Sequence, residues 1–233
     1  MTFSTVPVIF DLDGTLVDPA GGITDGIAAA LSALDLPVPH QSDLDSMVGP
    51  RLSDALIRIA GVPAGQVDEV IGLYRAYYRT TGISRGSVYP GIRDLLESLR
   101  NAGTAMAVAT QKPQSLARVV LEHHGLDGFF TSIQGSSDDE SGAPGPVPSG
   151  KADIIAAAMG DLGATGALMV GDRAQDVAGA LANGIDCIGV AWGFAPDGEL
   201  VRAGACTVVA DTQELHAAII PLATGRAEEE LEV

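Results

Sequence analysis

Residues 6–10 form a short apolar, β-branched run that ends at a cluster of carboxylates, the pattern of a buried strand delivering Asp11 to its C-terminal end. The period then changes. Ile23, Ile27, Leu31 and Leu34 recur at helical spacing over residues 22–34, and residues 51–59 and 67–78 repeat that spacing with no strand pattern between them. Several helices after one strand predict a small helical bundle inserted into another domain, bounded near Asp18 and near Tyr89-Pro90-Gly91. From Gly91 onward, helical patterns over residues 92–101, 114–124, 152–162 and 175–183 alternate with strand patterns over 104–109, 130–134, 167–170 and 187–190. That order predicts an α/β fold with a doubly wound parallel sheet covered on both faces. Residues 1–18 and 88–233 are then the core domain, and residues 19–87 a helical cap. The Gly- and Pro-rich stretch 136–150 reads as a surface loop, and the closing Glu-Glu-Glu-Leu-Glu-Val as a solvated tail.

In open α/β sheets ligands sit beyond the carboxyl ends of the strands, so the residues just after each strand are the ones to inspect. Four segments carry chemistry there: Asp11-Leu12-Asp13-Gly14-Thr15, Thr110-Gln111-Lys112-Pro113, Gly150-Lys151, and Gly171-Asp172 with Asp176. Together they suit phosphoryl transfer, which needs a nucleophile, a proton donor and positive surroundings. Asp11 can attack phosphorus and form an aspartyl phosphate. Asp13, two residues on in a turn, can protonate the leaving oxygen and later activate water. Gly14 leaves a backbone amide free to approach the phosphate. Asp11 and Asp172 can share one Mg²⁺. Thr110 offers a hydroxyl and amides where a helix starts, with Gln111 beside it. Asp176 can orient Lys151 or a metal-bound water.

Each element alone has a plainer meaning, such as a helix cap, a turn or a solvated charge. The chain's use of cations changes that balance. It has eleven arginines and two lysines, and both lysines fall in these strand-end segments. Lys151 is therefore placed in the site as a compact positive charge for a phosphate oxygen. Lys112 keeps two readings, a site cation or a lysine whose head reaches solvent.

Composition and charge narrow the partners. With 46% hydrophobic and 18% charged residues among 233, the chain can bury a full core. Its formal charge of -17 repels nucleic-acid phosphates and anionic membrane surfaces. Cys187 and Cys206 have neither zinc nor disulfide spacing. Without a long apolar span or a leader pattern, the expectation is a soluble cytoplasmic protein, monomer or homodimer, with a small phosphorylated metabolite as its partner.

As a set and in this order, these four motifs resemble the haloacid dehalogenase superfamily, and the resemblance covers nearly the whole chain. It implies a Rossmann-like core, Mg²⁺, an aspartyl-phosphate intermediate and the Asp13 backbone carbonyl as a further metal ligand. More narrowly, Thr15-Leu16-Val17-Asp18, Val48-Gly49-Pro50, Tyr89-Pro90-Gly91, Ala109-Thr110-Gln111-Lys112-Pro113 and Gly189-Val190-Ala191-Trp192-Gly193 look like the phosphoglycolate phosphatase and 5'-nucleotidase-like branch. Gln111 and Arg51 depart from that branch's usual residues, so the resemblance leaves the substrate open between phosphoglycolate and a nucleoside 5'-monophosphate. Arg51, after the Gly-Pro turn, is the candidate reader of the substrate's far end. Dehalogenases lack the second acid, present here as Asp13, and phosphonate hydrolases use a cap lysine that residues 19–87 do not contain. A β-phosphoglucomutase-like phosphomutase and a catalytically silent binding module of the same fold are the alternatives.

Overall fold

A computed structural model of the chain describes residues 5–19, 21–137 and 150–223. Most of the predicted 136–150 loop and all of the acidic tail lie outside the described residues. In chain order the elements are β1 (Val8–Phe10), β2 (Val17–Asp18), α1 (Gly22–Ala33), α2 (Gln41–Ser46), α3 (Leu52–Arg58), α4 (Val67–Tyr77), β3 (Ser87–Val88), α5 (Ile92–Asn101) and β4 (Met106–Pro113). There follow α6 (Gln114–His123), β5 (Ser132–Ser136), α7 (Lys151–Asp161), β6 (Leu168–Gly171), α8 (Ala174–Ala182), β7 (Asp186–Val190), α9 (Glu199–Ala203), β8 (Thr207–Val209) and α10 (Thr212–Ala223).

The main sheet runs β5-β4-β1-β6-β7-β8, and every neighbouring pair in it is parallel. β1 lies near the middle, with Ile9 opposite Ala107 on one side and Met169 on the other. Successive side chains of a strand point to opposite faces, and the core divides accordingly. Val8 and Phe10 belong to one cluster with Leu95 and Leu96 of α5, Val120 and Leu121 of α6, and Leu215 of α10. Ile9 belongs to another with Ile154, Ile155, Val177 and Ala180 of α7 and α8. Both faces are thus covered, as a doubly wound α/β sheet requires.

Between β2 and β3 the chain is helical, and α1 packs against both α2 and α4. β2 and β3 pair antiparallel, Val17 with Val88 and Asp18 with Ser87, so the helical segment leaves and rejoins the sheet domain at one place. α4 continues through a π turn, Tyr78–Gly82.

Three features depart from the pattern reading. β4 runs four residues past Ala109, with a register irregularity before Pro113, so Thr110 lies in an irregular strand extension and the next helix begins only at Gln114. β5 is displaced two residues from its predicted start, since Phe130 instead packs against Phe10 with ring centroids 6.3 Å apart. β8, α9 and α10 follow the last predicted strand. The three-residue β8 and the Ala-rich α10 carry too little periodicity to be read, and they are placed by tertiary contacts such as Thr212 Oγ1 donating to the Pro90 carbonyl at 3.1 Å. Among the described residues no helix is long and apolar enough to cross a membrane.

Candidate active site

β1 runs directly into a tight turn. The Asp11 amide still donates to the Val170 carbonyl at 2.9 Å, which stands its carboxylate at the strand end. The amides of Leu16 and Val17 then fold back onto the Leu12 carbonyl at 2.9 and 3.0 Å. Gly14 sits in this turn with a φ of 84°, and a Cβ there would lie 2.2 Å from Asp172 Oδ2. Glycine is required twice over, by the left-handed backbone and by the neighbouring carboxylate. Its expected free amide is a correction, however: the Gly14 N–H donates to the Val17 carbonyl at 2.9 Å and is consumed inside the turn.

Asp172, at the end of β6, is buried beside Asp11. Its Oδ1 accepts from Thr15 Oγ1 at 3.2 Å and its Oδ2 from the Phe194 amide at 2.8 Å. Gly193 lets that second loop approach, since a Cβ there would lie 2.3 Å from Asp172. Trp192 ties the loop back by donating its Nε1 to the Thr15 carbonyl at 3.2 Å.

Lys151 opens α7 with its Nζ 2.8 Å from Asp11 Oδ1 and 2.6 Å from Asp176 Oδ1. Asp176 Oδ2 accepts from the Arg173 amide at 2.9 Å. Both Asp176 oxygens are engaged, which leaves this residue as the brace of Lys151. Burial disfavours the Lys151 charge, but Asp11 and Asp176 outweigh it and raise the ammonium above its ordinary range.

Carboxylate oxygens of Asp11, Asp172 and Asp176 lie within 4.8 Å of one another. Burial, followed by mutual repulsion, raises Asp172 well above the usual carboxylate range. Burial likewise pushes Asp176 up to about 6, against the opposing pull of Lys151. A buried, all-oxygen cluster whose negative charges exceed the nearby ammonium fits a hard divalent cation.

The second acid has its own cation. Asp13 Oδ2 is 2.7 Å from Lys112 Nζ, while Asp13 Oδ1 is buried with no hydrogen-bond partner. Lys112 is only 8% exposed, so its head does not reach solvent, and its Nζ stands 4.5 Å from the centre of the Tyr78 ring. Burial opposes the Lys112 charge, and Asp13 more than restores it. Thr110 is buried at the same strand end, its Oγ1 accepting from the Lys112 amide at 3.2 Å rather than sitting at a helix start.

A cavity lies over these groups. Asp11, Asp13, Thr110, Gln111 and Lys112 form its floor, and Met47, Val48, Pro50, Leu52 and Tyr74 of the helical segment face them. Arg51 is not brought beside Asp11. It precedes the first residue of α3, without a capping hydrogen bond from its side chain, and lines an adjoining cavity with Arg58 and Gln175, separated from the first by the shared Pro50 and Gln111. The braces Thr15, Trp192 and Arg173 are not singled out by the strand-end argument. Nothing in the composition around Gly193 marks a loop that closes on Asp172.

Residues 8–190 match the family model of haloacid dehalogenase-like hydrolases. The chain is 36% identical over 195 residues to a 5'-nucleotidase of Pseudomonas aeruginosa, covering 83% of this chain and 86% of that protein. It is 41% identical over 189 residues to the tyrosine-protein kinase PtkA of Mycobacterium tuberculosis, covering 80% of this chain but only 62% of that longer protein. The crystal structure of a predicted phosphatase from Clostridium acetobutylicum superposes with a TM-score of 0.85 at 38% identity, covering 94% of this chain and 99% of that one.

Proposed function

The chain belongs to the haloacid dehalogenase-like hydrolases, as a phosphatase, and from that membership we propose that it hydrolyses a small phosphomonoester with Mg²⁺ through a phosphorylated Asp11. The observation that carries this reading is the unpartnered, buried Asp13 Oδ1 beside Asp11, in a cavity where each acid has its own lysine. Asp11 attacks phosphorus, the bond from phosphorus to the ester oxygen breaks, and Asp13 gives that oxygen its proton. Asp13 then takes a proton from the water that cleaves the aspartyl phosphate, releasing phosphate, freeing the Asp11 carboxylate and returning Asp13 to its protonated form. Mg²⁺ held by Asp11, Asp172 and the Asp13 carbonyl would neutralise the charge gathered around the phosphate. Lys151 holds Asp11 and a phosphate oxygen, and Thr110 supplies a hydroxyl to the same group.

The helical segment acts as a cap and selects the substrate, either phosphoglycolate or a nucleoside 5'-monophosphate. The nucleotidase relative supports the second. Arg51 reads the distal end of such a substrate across Pro50 and Gln111, where its Nε is buried without a partner. The decisive assay is phosphate release over time against a phosphomonoester panel, for the wild type and Asp11→Asn. Asp11→Asn should lose turnover while remaining folded, because an amide is a poor nucleophile. Turnover at the wild-type rate in that variant would overturn the mechanism, and isomerised sugar phosphate without release would indicate a mutase.

A further inference from the structure

Arg173 follows Asp172 directly, yet its side chain leaves the carboxylate cluster and crosses to the helical segment. It is 7% exposed. Its Nη1 donates to the Val48 carbonyl in the loop between α2 and α3, and its Nε to Glu199 Oε1 at 3.1 Å. The same Glu199 oxygen accepts from the Ala174 amide at 2.8 Å, so the guanidinium is aimed by a carboxylate that is itself fixed to the core. The loop is shaped to receive it. Gly49 has a φ of 102°, and a Cβ there would lie 2.9 Å from Arg173 Cγ. At the other end, the Arg173 amide is held by Asp176, which holds Lys151, which holds Asp11. Val48, Gly49 and Pro50 are also walls of the cavity over Asp11 and Asp13.

We propose that Arg173 is a positioning residue that latches the cap's roof loop to the carboxylate cluster, so that the leaving-group side of the cavity is complete only when its guanidinium bridges Val48 and Glu199. The role in turnover rests on the phosphatase reading above; the latch itself does not. The planar guanidinium meets its two acceptors with two different nitrogens, Nη1 for Val48 and Nε for Glu199, whereas a lysine would have to bring a single nitrogen within reach of both.

Backbone hydrogen exchange tests the latch without turnover. In Arg173→Ala, exchange at residues 47–52 should rise at least about tenfold while β1 and β6 keep their protection. Arg173→Lys should rise nearly as much, because one ammonium replaces a fork. Gly49→Ala, which pushes the loop off the arginine from the other side, should give the same local increase. Combined with Arg173→Ala it should add less than about half of its own effect, the mark of one shared contact. In turnover, KM for a nucleoside monophosphate should climb about tenfold in Arg173→Ala while kcat moves less than about threefold. Unchanged exchange in Arg173→Ala, or full additivity with Gly49→Ala, would overturn the latch. A wild type inactive on every phosphomonoester, with the exchange pattern intact, would sink the function and leave the latch standing.

Discussion

At the scale of single residues, the two acids at the end of β1 differ by their partners. Asp11 shares Lys151 with Asp176, whereas Asp13 has Lys112 on one oxygen and nothing on the other. Asp13→Ala should therefore leave the carboxylate cluster intact and reduce turnover of a substrate with a poor leaving group by about 10²- to 10⁴-fold. A reduction below about tenfold would remove Asp13 as the proton donor. Arg51→Ala should lower kcat/KM for the preferred metabolite while leaving a small aryl phosphate nearly untouched, and equal losses on both would take Arg51 out of the substrate's path. The convergence of the acids is legible in the sequence because each of the segments that carry them follows a readable strand, which places them at one edge of the sheet. The role of Gly14 is not, for the opposite reason: a glycine's sequence position does not reveal whether its amide faces outward or, as here, closes its own turn on Val17. Lys112 stays undecided in the sequence because the strand extension that turns it inward is a register irregularity, which has no compositional mark.

Elements explain why the site stays assembled. α5 carries the helical period Ile92, Leu95, Leu96 and Leu99, all buried against one sheet face. Leu96 is fully buried, so Leu96→Ala should destabilise the fold by about 2–5 kcal/mol in a denaturant titration. A cost near zero would mean that this helix does not anchor the sheet. The same strong periodicity makes α5 readable, as the apolar runs make β1 and β6. The two-residue ribbon of β2 and β3 is not readable, because Val17 pairs with Val88 across the whole intervening helical segment. Pairings at such separation are decided by tertiary geometry rather than local preference. The segment after β7 is unreadable in another way, since Trp192 and Phe194 act through an indole N–H and a backbone amide that any loop could in principle supply.

For the molecule as a whole, the buried carboxylates tie stability to pH, and the proposed metal would share that dependence. Asp176 is pushed up to about 6 from the ordinary 3.8, first by burial. A raised folded-state value favours the metal-free fold below the ordinary value, and that contribution is lost as pH rises through the folded one. A divalent cation needs the ionised carboxylates, so Mg²⁺ should raise Tm more at about pH 7.5 than at about pH 5. An equal shift at both values in a thermal melt would count against the carboxylate cluster as the ion's seat. The scarcity of lysine has a different consequence. Lys112 and Lys151 are 8% and 6% exposed, each held by a buried carboxylate at the end of β1, while the many arginines elsewhere are inert to acylating reagents at neutral pH. Amine-selective reagents should therefore find almost no side chain to label on the resting protein, and acylation of Lys112 becomes a chemical clock that counts only the time its buried amine spends uncovered.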